Sequence, residues 1–249
     1  MKAWHNRLEW AGFFAVLFCI WQAAATWVHN DMILPAPLQV LQTMEQQLVS
    51  PVFLPTVLIS VGRVAAAVVL ALGSGFLLAM LAHLVHPLEF FITRLLLLLR
   101  SIPNIAFIIL MLFWMNREAA VLLVLWLLLV PIVYSALLER MEEISAHYKD
   151  VFQIYPQPWS VRLREAFFPE LAGTWSAAVV TASSLACKAG VMAEILCQVP
   201  AGIGRSMQSA RFALDTAGVM GWTIWLLLFA FALDAFWKRL PLWLERMQG

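Results

Sequence analysis

Ala119-Ala-Val-Leu-Leu-Val-Leu-Trp-Leu-Leu-Leu-Val-Pro-Ile-Val-Tyr-Ser-Ala-Leu-Leu138 runs for twenty residues without a charge. As a helix rising about 1.5 Å per residue it is about 30 Å long, the thickness of a bilayer's hydrocarbon core. It does not alternate polar and apolar residues as a barrel strand would. The stretch therefore predicts a membrane-spanning helix. The rest of the chain agrees: its 249 residues are 63% hydrophobic and only 12% charged, with a mean hydropathy of +0.83. An ordinary soluble domain is about 45–50% apolar and about 25% charged. A soluble globular enzyme and a disordered chain are excluded on that ground. A net charge of +1 with no basic run argues against nucleic acid as a partner, and three cysteines cannot make a disulfide scaffold.

Five further segments satisfy the same length and composition, giving an all-α, polytopic membrane protein with six transmembrane helices embedded in a lipid bilayer. They are Trp10–Val28, Val57–Ala82, Leu95–Met115, Leu171–Cys197 and Thr216–Leu233. The first begins after Lys2 and Arg7 and reaches Ala23-Ala24-Ala25, a pattern that imitates a cleavable signal peptide with a mature start near Thr26. It is read as an uncleaved span. Lys and Arg set the orientation. With the N-terminus inside, Lys2, Arg7, Arg94, Arg140, Lys149, Arg162, Arg164, Lys238, Arg239 and Arg246 fall on the cytoplasmic side, and only Arg117, Arg205 and Arg211 outside. Both termini are expected in the cytoplasm, with Trp10, Trp27, Trp114, Trp175 and Trp237 near span ends as interfacial anchors.

The chain divides into an N-terminal span with its outer segment (residues 1–56), a membrane core (57–240) and a cytoplasmic tail (241–249). In the outer segment Leu38, Leu41, Met44 and Leu48 recur at helical spacing, predicting a short amphipathic helix that serves packing. The connection 139–170 is the most polar part of the chain. Within it lies Asp150-Val-Phe-Gln-Ile-Tyr155, stopped by Pro156 and Pro158. Val151, Phe152, Ile154 and Tyr155 are too many apolar groups to leave in water, so they require a partner surface, either the chain's own spans or another protein.

No phosphate-binding Gly-rich loop, no Gly-x-Ser-x-Gly elbow and no His-Glu-x-x-His zinc helix occurs. His83 and His86, with Glu89, could serve a membrane enzyme or a metal or quinone scaffold, but an interfacial loop explains them as well, and no metal or other cofactor is expected. Charges inside spans are more informative. Each costs about 2.5–3.5 kcal/mol at a helix centre, against about 0.3–0.6 returned by each large aliphatic residue. The fifth span carries both Lys188 and Glu194, so it is poorly suited to lipid. Thr174, Thr181, Ser184 and Lys188 follow one stripe, read as a wall of a translocation pathway rather than a plain helix seam. Lys188 and Glu194 are expected to face the bundle interior. Arg63 and Arg100 lie nearer span ends, where their side chains can snorkel. Pro103 is expected to break the third helix.

These residues carry an overall resemblance. Leu34-Pro35-Ala36-Pro37, Ser60-Val-Gly-Arg63, Leu99-Arg-Ser-Ile-Pro103-Asn-Ile-Ala106, Phe168-Pro169, Lys188-Ala-Gly-Val-Met-Ala-Glu194, Gly202-Ile-Gly204 and Leu214-Asp215-Thr216 follow one another in order along nearly the whole chain. Together they resemble the permease subunit of binding-protein-dependent ABC importers, in the nitrate/sulfonate/taurine-type branch, with an ABC transmembrane type-1 domain over 57–240. The resemblance implies a type I importer permease that is not itself an enzyme. It implies two permease subunits, as a homodimer, around a pathway of alternating access, an extracytoplasmic substrate-binding protein and an ABC ATPase subunit. Sulfonates, taurine-like compounds, oxyanions and vitamin precursors are the substrates in view. Asp150, Val151, Phe152, Ile154, Tyr155, Pro156 and Pro169 would couple to the ATPase. Arg63, Arg100, Pro103, Thr181, Ser184, Lys188, Glu194, Gly202 and Gly204 would line or gate the pathway. One departure stands out. The family's cytoplasmic loop reads Glu-Ala-Ala, three residues, Gly, and here Asp150-Val151-Phe152 and Pro156 occupy those positions.

Overall fold

The computed structural model describes the backbone of residues 2–247 and the side chains of residues 12, 13 and 15–237. Among the described residues the regular structure is entirely helical. The helices are α1 (Lys2–Val28), α2 (Pro37–Val49), α3 (Phe53–Leu84), α4 (His86–Ser101), α5 (Asn104–Trp114), α6 (Arg117–His147), α7 (Lys149–Ile154), α8 (Trp159–Cys197), α9 (Ile203–Phe212) and α10 (Thr216–Met247).

Among the described residues four of these are long and apolar enough to cross a membrane: α3, α6, α8 and α10 over Thr216–Trp237. Each contains one expected segment whole, because each segment is a predominantly apolar run of the right length with no proline break after its first turns other than Pro131, which α6 absorbs. Against the expected six spans, the described residues hold four such helices, or five if a bent pair counts as one crossing. Residues 95–115 are split between α4 and α5, which bend by 98° at Ile102-Pro103, so this pair makes at most a fifth crossing. Proline explains the split. Its ring disfavours helical backbone at the residue before it, and Ile102 is extended (φ −75°, ψ 128°). Alone, α5 has 11 residues, about 16 Å of helix, roughly half a bilayer core. In the N-terminal segment the described apolar helix, Ala15–Val28, is shorter than a span. Expected residues Trp10, Ala11 and Phe14 have side chains outside the described set.

The core lies between α3, α6 and α8. Ala67, Ala71, Gly75, Ala79 and Ala82 form a small-residue stripe along α3, which lets the α6 backbone approach closely. At Gly75 a Cβ would stand 2.7 Å from Val133 Cγ1, so only glycine fits that crossing. Facing this stripe, α6 buries Val121, Leu125, Leu129, Val133 and Leu137, and α8 adds Ala182 and Ala186.

The outer helix forms as expected, but with a different face inward. Val40 and Met44 pack with Trp21 against Ala217, Met220 and Ile224 of α10, while Leu38, Leu41 and Leu48 are exposed. The apolar spacing holds, but the buried arc is offset: Val40 and Met44, rather than the three leucines, meet α10. Connection 139–170 is mostly helical too. Its first residues extend α6, α7 follows after Tyr148, and α8 begins at Trp159, leaving only residues 148 and 155–158 outside helices. A π turn at Leu163–Phe167 lies just ahead of Pro169. A wider turn accommodates a proline that can neither donate an N–H nor tolerate a tight carbonyl four residues back.

Candidate functional site: a buried charge network and an outward polar face

Ser60 and Arg63 stand one turn apart on α3 and point at the end of α8, where the chain turns a corner into α9. That corner needs two unusual backbone conformations, Gln198 at φ 51° and Gly202 at φ 125°. It brings Gly202, Ile203 and Gly204 back over Glu194. Arg63 Nη1 donates to Glu194 Oε1 at 2.6 Å and to the Ala201 carbonyl at 2.9 Å. Ser60 Oγ lies 2.7 and 2.9 Å from the two Glu194 oxygens. Gly204 N–H donates to Glu194 Oε2 at 2.8 Å, and Ile203 N–H to Ser60 Oγ at 2.8 Å. On the other side of the guanidinium, Nε and Nη2 form a two-pronged grip on Glu118 at the start of α6, both at 2.6 Å.

This network unites motifs far apart in sequence. Ser60, Arg63, Glu194, Gly202 and Gly204 form one cluster in which Glu194 is 2% exposed and Arg63 8%. Bidentate and charge-assisted bonds are the strong kind, and a buried ion is tolerated only when its hydrogen bonds are complete. Glu194 does face the interior, as expected. Arg63 does not snorkel: it lies inside, because two carboxylates and a carbonyl satisfy it there. Below the network, α3 and α10 leave a groove over α8 of about 500 Å³, walled by Val64, Val68, Leu226 and Phe229.

Glu118 was not among the expected site residues. Its position beside Arg117 at a span boundary reads as an ordinary interfacial pair. The available signal was Arg63 itself, since a cation buried within a span needs acidic partners, and Glu118 begins the next long apolar run.

The other residues expected to line a pathway lie elsewhere. Thr181 and Lys188 are exposed on the outward side of α8, and Ser184 is half-buried beside them. Lys188 therefore does not face the interior of its own chain. Six residues separate it from Glu194, about 120° around the helix, so when Glu194 turns into the core Lys188 turns out of it. Arg100, Pro103 and Asn104 are exposed at the α4–α5 break. Arg100 and Asn104 border a cavity of about 290 Å³ that Leu185 of α8 also lines. Among the described residues neither the Arg100 nor the Lys188 side chain makes a hydrogen bond or ion pair.

On the polar side of the bundle, α7 presents Val151, Ile154 and Tyr155, the last two at 69% and 68% exposure. Asp150 and Pro156 are exposed next to them. Phe152 is the exception: it is half-buried, with its ring 5.9 Å from that of Tyr148 and Arg162 lying 4.7 Å over it. Pro169 sits exposed in the first turn of the straight part of α8. Arg140 bonds Glu143 at 2.9 Å and Glu170 at 2.5 Å, tying the end of α6 to the same turn. His83 packs between Trp159 and Phe167 and meets Ser145 Oγ at 3.0 Å, whereas His86 turns to Glu89 at 3.0 Å. The two histidines thus diverge, and among the described residues no three His, Cys, Asp or Glu side chains gather as metal ligands.

Compared with known proteins, the chain matches no family model and no curated sequence.

Proposed function

We propose that the chain is the permease subunit of an ATP-driven ABC importer, moving a small solute across the cytoplasmic membrane by alternating access. The observation that carries this reading is the α7 tip. Val151, Ile154 and Tyr155 project from a six-residue helix beyond the apolar spans, and the sequence has no nucleotide-binding loop of its own. Such a tip fits a socket on a separate ATPase. In this reading the outward stripe of Thr181, Ser184 and Lys188, with Arg100 at the helix break, meets a second permease subunit across the pathway, since unpartnered cations are costly against lipid. A substrate-binding protein would dock on the opposite side, over the corner after α8. The chain itself would catalyse nothing.

Replacing Ile154 and Tyr155 with Ser tests the reading. The variant is expected to fold and insert normally, because both side chains are exposed, but to lose its ATPase on copurification and to lose uptake. Normal copurification and uptake would refute the docking site. Orientation is tested separately. Reporter fusions after Gly249 should read cytoplasmic, and fusions within residues 38–48 extracytoplasmic. The reverse pattern would turn α7 away from any cytoplasmic ATPase and overturn the proposal.

A further inference from the structure

The two carboxylates that grip Arg63 are held in different ways. Glu194 is 2% exposed and is also bonded by Ser60 Oγ and the Gly204 N–H. Glu118 is 47% exposed, and both of its oxygens go to Arg63. The neighbouring Arg117 reaches the same corner through an exposed bond, Nη1 to the Gln198 carbonyl at 3.0 Å. Behind these contacts lies a hollow of about 750 Å³, bordered by Leu112, Met115, Leu196 and Cys197. At the start of α6, Arg117 and Glu118 therefore meet the corner through polar side chains, and packed core begins at Ala120 and Val121, both 0% exposed.

The helix that feeds this turn is loosely anchored as well. In α5 only Ile108 and Met111 are buried. It is bounded by non-helical backbone at both ends, Ile102-Pro103 before it and Met115-Asn116 after it. A short element with few buried contacts and a break at each end is the kind that opens locally while the core stays folded.

We propose that α5 and residues 115–118 form a hinged flap that turns about Ile102-Pro103 at one end and the frayable start of α6, ahead of buried Ala120, at the other. It is latched by Glu118 on Arg63 and by Arg117 on the Gln198 carbonyl, while Ser60, Arg63, Glu194 and Gly204 hold the corner to α3 permanently. The two grips differ in what release would cost: Glu118, its side chain 47% exposed, can turn to water, whereas Glu194 at 2% exposure cannot. Arg63 is thus shared between a fixed arm and a releasable one. When the flap lifts, the Glu118 side of the guanidinium fork is uncovered. The latch is a property of the chain alone and does not rest on the importer reading.

Nitroxide labels at Phe113→Cys and Arg205→Cys test this in the full chain in lipid nanodiscs, with Cys19→Ser, Cys187→Ala and Cys197→Ala as background. Both labelled positions are exposed. The latched protein should give one narrow distance population. Adding Arg117→Gln and Glu118→Gln should raise a second, longer population several-fold while the melting temperature stays with the labelled parent. An unchanged distance distribution overturns the latch. So does a loss of melting temperature equal to that of Glu194→Gln, because Glu118 would then be as structural as Glu194. If the cysteine-free background does not assemble, amide exchange in the native-cysteine chain decides. Exchange in residues 104–118 should quicken several-fold in the Arg117→Gln/Glu118→Gln variant and remain unchanged in α3, and no change in 104–118 overturns the proposal.

Discussion

Arg63→Met should lower stability by about 3–5 kcal/mol, the usual consequence of removing one partner from a buried ion pair. The loss arises less from the missing attraction than from what stays behind. Glu194 is 2% exposed and would keep only Ser60 Oγ and the Gly204 N–H, two neutral donors for a full negative charge. The Ala201 carbonyl loses its donor as well. Glu118, by contrast, is 47% exposed and can turn to water at small cost. This asymmetry makes a sharper test than a single mutant. Arg63→Met with Glu194→Met removes both buried charges and fills their volume, so it should recover a large part of the loss, roughly half, since replacing a buried pair with apolar groups is often neutral or better. Arg63→Met with Glu118→Gln should recover little. Thermal unfolding of the purified full chain in detergent distinguishes them. Equal recovery by both doubles would mean that Glu118 needs Arg63 as much as Glu194 does, and would overturn the asymmetry.

The helical membrane architecture was legible in the sequence because it depends on summed composition. Ala119–Leu138 can do little else, whatever surrounds it. Pro103 was legible for a similar reason, since its effect on Ile102 is local backbone sterics; the 98° bend it produces was not, because the angle is set by how α5 packs on α6 and α8. Periodicity marked the outer helix but not its buried arc, as Leu38 shows, because only contact with α10 selects among several apolar directions. Lys188 and Glu194 illustrate the same limit at the site. Their spacing fixes about 120° between them, yet not which one turns inward. Glu118 was hidden for another reason. It meets Arg63 only because α3 and α6 pack against each other along their lengths, and nothing in the spacing of 63 and 118 records that packing. The glycines of Gly202-Ile-Gly204 were noticed as a motif, and the corner now gives each a separate physical cause.

Those causes predict that alanine at either position damages the protein more than alanine at any other glycine near the site. At Gly202 the backbone has φ 125°, and a Cβ would lie 2.6 Å from Arg63 Nη1 and 2.8 Å from Glu194 Oε2. Left-handed or extended positive-φ backbone costs a non-glycine residue about 1–3 kcal/mol, and crowding adds about 1–3 kcal/mol more. Gly204 carries no such backbone demand. Its Cβ would instead lie 2.5 Å from Glu194 Cβ and 2.8 Å from the Val191 carbonyl. The second neighbour is backbone of α8 and cannot rotate away, so the corner must lift. Lifting it stretches the Gly204 N–H to Glu194 bond, now 2.8 Å, and with it the Ile203 N–H to Ser60 bond, now 2.8 Å. Gly204→Ala should therefore loosen the network itself, while Gly202→Ala strains the turn and pushes Arg63. Gly73→Ala on α3 is the control. It meets nothing within 4 Å, and alanine in a helix interior is favoured over glycine by about 0.8–1.0 kcal/mol, so that variant should melt at or above the parent temperature. Melting curves of the three purified variants, with amide exchange at Ile203 and Gly204, provide the check. The expected order is Gly73→Ala above parent, then both corner variants well below it, with exchange at residues 203 and 204 quickened most in Gly204→Ala. Corner variants that melt with the parent would mean that the turn can reshape freely, and that Glu194 is held by Arg63 and Ser60 alone.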